Sequence, residues 1–107
     1  MNSVFRSGVL LAAVAMFAYV LCFAQSSGAA VYKDKCLVCH GPTGLANSGI
    51  GAIMKVKPIT DPSVRNMSRA QMIEATQKGM GKMQGYKDEL TDAEIKSSVD
   101  YFRSFIK

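Results

Sequence analysis

Residues 33–44 read KDKCLVCHGPTG, which places Cys36, Cys39 and His40 within five positions of a chain that has no other histidine. Two thiols and an imidazole this close together occur in metal sites, in redox dithiols and at points of covalent haem attachment. The stretch alone does not choose among these three chemistries. The rest of the sequence has to decide between them.

The N-terminal residues have the pattern of an export signal. Residues 1–6 carry one positive charge, and residues 8–24 form an uncharged, strongly apolar run with small residues near its end. We therefore predict a signal peptide over residues 1–24, extending at most to residue 30, and export to the periplasm. A retained membrane anchor is the alternative, since the apolar run approaches the length that spans a bilayer.

Residues 25–107 are left for one small domain. At this size an apolar core is marginal, and a metal, a disulfide or a bound group commonly adds the missing stability. This part has 12 Lys and Arg against 8 Asp and Glu, a net charge of +4, with the basic residues spread along the chain. Nucleic-acid binding is not indicated, because basic blocks interleaved with aromatic residues are missing. An acidic protein partner stays open.

The remaining pattern predicts an all-α fold of three to five short helices, because apolar and polar residues do not alternate as they do in strands. Capping residues, prolines and glycines set the expected boundaries. The first predicted elements are a helix over Gly28–Cys39, a long loop over Gly41–Ile59 and a short helix after Asp61 and Pro62. They are followed by a helix that begins at Ser68, is capped with Gln71 and ends at Gly79, and then by a glycine-rich loop. The final predicted helix begins at Thr91 with Glu94, and one of its faces carries Ile95, Val99, Phe102 and Ile106.

Covalent haem attachment explains the cysteine stretch better than zinc or a redox dithiol. A structural zinc site needs four ligands, and the sequence has no second histidine or second cysteine pair in the mature part. A redox CxxC motif is expected between strands and helices, and no strands are predicted. In a haem protein, Cys36 and Cys39 would bind the porphyrin through their sulfurs and His40 would bind the iron. Export and a small core both favour one covalent haem c.

The second axial ligand is predicted to be Met83. It lies in the glycine-rich stretch GKMQGY between the last two predicted helices, where the loop can approach the porphyrin. A thioether ligand favours the reduced iron and suits single-electron transfer. Met80 in the same loop is the alternative, and the other methionines are interpreted as leader or packing residues.

These motifs together resemble a class I c-type cytochrome of the small bacterial single-haem kind. The resemblance is carried by CLVCH early, GKMQGY late and the closing LTDAEIKSSVDYFRSF. It implies a cytochrome c fold around one haem, with Gly28 and Tyr32 packed against Ser98 and Tyr101. One departure is Gln84, since the family commonly has a proline directly after the ligand methionine.

The resemblance implies an electron carrier rather than an enzyme. We expect a monomeric, exported protein that passes single electrons between larger redox complexes. The lysines near the methionine loop, the glycine-rich stretch that carries Met80 and Met83, would then face acidic docking surfaces. A membrane is involved only if the leader is retained. The alternatives are a haem enzyme or gas-binding protein with an open iron, and a haem subunit of a larger oxidoreductase complex. The lysines in question are Lys78, Lys82 and Lys87.

Overall fold

Residues 27–107 are the part of the chain that the structure, a computed structural model, describes; the predicted leader lies outside them. Helices and loops make up this part, without any β-strand, and none of these helices is long and apolar enough to cross a bilayer. Residues 27–107 form five helical segments, because the first three of the elements in the next sentence follow one another without a break. The elements are α1 (Gly28–Val31), a π-helical turn (Tyr32–Cys36), α2 (Leu37–His40), α3 (Gly49–Ile53), α4 (Pro62–Arg65), α5 (Arg69–Lys78) and α6 (Asp92–Arg103).

The predicted capping residues start the last three helices. The Ser68 and Thr91 side chains each accept a hydrogen bond from the N–H three residues on. The Gln71 and Glu94 side chains accept hydrogen bonds from the backbone N–H of the two capping residues in return. Such reciprocal caps satisfy donors that would otherwise lack partners, so α5 and α6 begin where the sequence indicates. The Asp61 carboxylate caps α4 by accepting from the Ser63 N–H at 2.9 Å.

The predicted long loop over residues 41–59 is partly wrong, because it contains the five-residue helix α3. A helix with two glycines in five residues has poor intrinsic propensity. Its position comes from tertiary packing instead. Gly51 is buried so close to the Cys39 carbonyl that a Cβ there would collide with it. The helix is therefore held against the end of α2.

The first and last helices meet through small residues and aromatic rings. The Tyr32 and Tyr101 ring centroids lie 5.2 Å apart, as the resemblance implied. On the glycine side, the backbone nearest to Gly28 is the carbonyl of Ser97 rather than Ser98, and a Cβ at Gly28 would collide with it. Ser98 is buried beside this contact, with 3% of its surface exposed. The close crossing requires glycine at position 28.

The apolar core joins α5 and α6 to the loop before α4. Ile59, Met72 and Val99 are its buried centre, and Phe102 packs against them. The prediction that Ile106 belongs to the face of the final helix is wrong in one respect, since α6 ends at Arg103. Ile106 nevertheless packs against the same core from the residues that follow the helix.

Candidate cofactor site

An apolar cavity of about 130 Å³, here the inner pocket, brings most of the predicted site residues together. Cys36, His40, Met80 and Met83 line it, while Cys39 is not among its lining residues. The other wall residues are Tyr32, Val64, Met67, Met72, Ala75, Thr76, Ser98, Val99 and Phe102. The pocket thus lies between the first helical segment, the core and the methionine loop.

A wider open cavity of about 980 Å³, here the outer groove, shares part of this wall. His40, Met67, Met80 and Met83 belong to both cavities. The groove is more polar at its rim, where lysines and Glu74 lie. A large flat group can therefore place an apolar part inside and a polar edge at the rim.

The two cysteines are free thiols that are not bonded to each other. Burial, and then the neighbouring Cys39, raise the pKa of the Cys36 thiol to about 11. Reactive redox cysteines have lowered pKa values, because the thiolate is the nucleophile. Cys36 is therefore protonated at neutral pH, which disfavours the redox dithiol hypothesis.

His40 is the last residue of α2, and the chain turns sharply after it. Gly41 has φ of +79°, which ends the helix. The Tyr32 hydroxyl donates a hydrogen bond of 2.6 Å to the Gly41 carbonyl, across the turn that carries both cysteines. This hydrogen bond ties the end of α2, and with it the His40 imidazole, to Tyr32.

The His40 imidazole is a mostly buried ring without a protein hydrogen bond at Nδ1. It lies against Phe102 with ring centroids 5.0 Å apart. Burial lowers its pKa, so the ring is neutral at pH 7 and carries a lone pair. A buried ring nitrogen without a partner is uncommon, and the imidazole, which lines the inner pocket, is not held by a protein hydrogen bond at this atom.

The methionine loop is a tight hairpin that begins at Gly79. This residue has φ of +88° and stops α5. The Met80 N–H donates to the Met83 carbonyl at 3.0 Å, and the Met83 N–H donates back to the Met80 carbonyl at 2.9 Å. Met83 is half-buried, whereas Met80 is 59% exposed. Both side chains nevertheless reach the inner pocket.

Comparison with known proteins identifies the family. The family model for cytochrome c oxidase, cbb3-type, subunit III matches residues 23–102. The chain belongs to this family. A solved structure, the KustC0563 c-type cytochrome, is similar with a TM-score of 0.68 and 27% identity, over 77% of this chain and 100% of that one. No curated protein matches the chain significantly. The chain is therefore a small c-type cytochrome, and the predicted all-α cytochrome fold is confirmed.

The residues of this cytochrome fit the covalently bound haem c that its family implies. Two free thiols one helical turn apart, a neutral imidazole with an unpartnered nitrogen, and an apolar pocket are present together. Among residues 27–107 no three His, Cys, Asp or Glu side chains form a cluster that could hold a metal ion. The donor set therefore suits a haem iron rather than a structural zinc site.

Several wall residues of the cytochrome were not predicted as part of the site. Phe102, Thr76 and Ser98 reach the pocket from helices whose sequence pattern indicates only a buried face. Met67 was expected to be a packing residue, and it lines the pocket as well as the core. Met54 is less buried than a packing residue, at 36% exposed. The sequence pattern of α5 and α6 indicates which residues are buried. It does not distinguish residues of the pocket wall from residues of the core.

Proposed function

We propose that this cytochrome is an exported single-haem electron carrier. In this proposal Cys36 and Cys39 would bind one haem c covalently, and His40 and Met83 would bind its iron. Haem c supplies an iron that changes its charge by one electron. The protein then passes single electrons between larger redox complexes and is not itself an enzyme.

One observation carries the proposal. Met83 is far in the sequence from Cys36 and His40, and all three line one apolar pocket. A soft thioether ligand raises the reduction potential of haem iron, and an apolar pocket has the same effect because it disfavours the additional positive charge of the ferric state. This combination suits a carrier.

The burial of the two methionines supports Met83 as the ligand. Met83 is half-buried, while more than half of the Met80 surface is exposed. A thioether that is held in the apolar wall loses less conformational entropy on binding iron than an exposed one. Met80 is the alternative ligand, because it lines the same pocket.

The polar groups of the inner pocket argue against an open-iron enzyme. The hydroxyls of Tyr32, Thr76 and Ser98 each donate to a backbone carbonyl, at 2.6, 2.8 and 2.8 Å. These are the hydroxyl groups in the wall, so none of these hydroxyls has a proton free to donate to a substrate. A peroxidase-like reaction needs such a group beside the iron. A carrier does not.

The rim of the outer groove supports docking to an acidic surface. Lys55, Lys57, Lys78 and Lys82 lie at this rim, although Lys78 is paired with Glu74 at 2.9 Å. Lys87, which was predicted with Lys78 and Lys82, is not among the residues that line the groove. Positive groups around the cofactor would steer an acidic redox partner through contacts that weaken with salt.

The family supports a second candidate, a haem subunit of a larger oxidoreductase complex. The matched family model is named for a subunit of a cbb3-type oxidase. Export to the periplasm with removal of residues 1–24 belongs to the proposal for the free, monomeric carrier. Retention of those residues would instead favour an anchored subunit.

Visible spectra of the purified ferric and ferrous protein test the function. We expect six-coordinate low-spin bands, the weak red band of methionine-ligated ferric haem, and no spectral change with carbon monoxide. High-spin bands or ready binding of carbon monoxide would contradict the carrier and favour an open iron. Size-exclusion chromatography of the same sample distinguishes a free monomer from a subunit that needs its complex.

A further inference from the structure

The methionine loop has little intrinsic rigidity. Residues 79–90 contain three glycines and no proline, and Gly79 and Gly81 both have positive φ. Such a segment has many alternative conformations in the absence of other contacts. Contacts with the rest of the protein must therefore fix the position of Met83.

Tyr86, three residues after Met83, makes a contact that spans the site. Its hydroxyl donates a hydrogen bond of 3.3 Å to the carbonyl of Lys35. Lys35 directly precedes Cys36 and belongs to the π-helical turn. This bond joins the segment of the predicted second ligand to the turn that starts the cysteine motif, 51 positions away in sequence. Single π-helical turns inside α-helices are frequent at functional sites.

The backbone of Tyr86 is fixed as well. Its N–H donates to the Thr76 carbonyl at 2.8 Å, and the Lys87 N–H donates to the Gln77 carbonyl at 3.3 Å. These bonds tie the residue to the last turns of α5. The Tyr86 backbone is thus hydrogen-bonded to α5, and its hydroxyl is hydrogen-bonded to the π-helical turn. The Tyr86 side chain therefore connects these two elements.

A weaker polar contact accompanies the hydrogen bond between Tyr86 and Lys35. The Lys35 ammonium lies 3.8 Å from a Glu89 carboxylate oxygen. The other Glu89 oxygen accepts a hydrogen bond of 3.4 Å from the Gln84 amide. These side chains are partly exposed, so the contact adds little on its own. It connects the residue next to Met83 to the same position, Lys35.

We propose that Tyr86 is a positioning residue for the second axial ligand, because its hydroxyl fixes the Met83 loop to the start of the cysteine motif. The proposal rests on Met83 as the ligand. Tyr86 does not touch the iron in this account. It limits the movement of the methionine loop. The Met83 thioether therefore stays close to its binding position, and an added ligand displaces it less easily.

The test is a titration of the ferric holoprotein with imidazole, which competes with the methionine and removes the red band. For Tyr86→Phe we expect a normal covalent haem but imidazole binding that is about fivefold tighter, equivalent to about 1 kcal/mol for one hydrogen bond. Amide exchange at residues 80–86 should also become faster. Tyr101→Phe is the matched control, because the Tyr101 hydroxyl has no side-chain hydrogen bond within residues 27–107.

The outcomes separate this proposal from the ligand assignment. If Tyr86→Phe binds imidazole like the wild type, and loop exchange is unchanged, Tyr86 does not position the ligand, even if the variant is less stable overall. If Met83→Leu keeps the red band, the ligand assignment fails and the role of Tyr86 fails with it. A Tyr86→Phe effect no larger than that of Tyr101→Phe would also contradict the proposal.

Discussion

Met80 and Met83 lie directly opposite each other in a narrow antiparallel pair, each N–H bonded to the other residue's carbonyl. Residues opposite each other in such a pair project their side chains to the same side. This relationship explains why both thioethers reach the inner pocket. It also means that position in the sequence does not distinguish the two methionines as ligands, although they differ in burial.

Replacement of each methionine by leucine tests the assignment. Met83→Leu should abolish the red band of the ferric protein, lower the reduction potential and allow carbon monoxide to bind, because the soft ligand is removed. Met80→Leu should leave all three nearly unchanged, since leucine has a similar volume and the residue is exposed. Loss of the red band only in the Met80 variant would reverse the assignment.

The crossing of α1 and α6 gives a prediction of unusual sign. Glycine to alanine inside a helix normally stabilises a protein. Gly28→Ala should instead lower the free energy of unfolding by about 1–3 kcal/mol, because the new methyl group would collide with the Ser97 carbonyl. Urea unfolding of the holoprotein measures this effect. Ala29→Ser, exposed on the same helix, is the control and should change stability by less than about 0.5 kcal/mol. A neutral or stabilised Gly28→Ala would contradict the close crossing.

The link between α5 and α6 should depend on pH. The Arg69 guanidinium donates to both Asp100 oxygens, at 2.7 and 3.1 Å, and lowers the pKa of that carboxyl. A carboxyl whose pKa is lowered by folding contributes stability above its ordinary pKa and loses that contribution as pH falls through the lowered value.

We therefore expect wild type to be slightly more stable than Asp100→Asn near pH 6, with the difference shrinking as the pH falls below the ordinary pKa of an aspartate carboxyl. The effect should be small, because both side chains are about half exposed. Urea unfolding at several pH values measures it, with Asp88→Asn as an exposed control outside the ion pairs of residues 27–107. A difference that stays constant down to pH 2 would show that the Asp100 charge is not responsible.

Helices with local signals could be predicted from the sequence, and helices without them could not. The reciprocal caps of Ser68 and Thr91 involve residues three positions apart, so the starts of α5 and α6 are encoded locally. Helix α3 depends on the contact between Gly51 and the Cys39 carbonyl, which exists only after folding. Its glycines were interpreted as loop residues for that reason.

Some residues of the candidate site could likewise be predicted from the sequence, and others could not. Cys36, Cys39 and His40 lie within five positions of the sequence, so the motif is visible locally, and the missing strand pattern and zinc ligands then favour haem attachment. The difference in burial between Met80 and Met83 depends on how their loop packs against the rest of the protein, which no local sequence pattern specifies. The bond from Tyr86 to Lys35 joins residues 51 positions apart, and no local pattern reveals it.

Covalent haem attachment is the central claim, and the mass of the intact mature protein tests it most directly. When the protein is made in cells able to mature c-type cytochromes, we predict the polypeptide mass plus one haem. The replacement of both Cys36 and Cys39 by alanine should abolish this added mass. A colourless wild-type protein with the mass of the bare polypeptide would contradict the account.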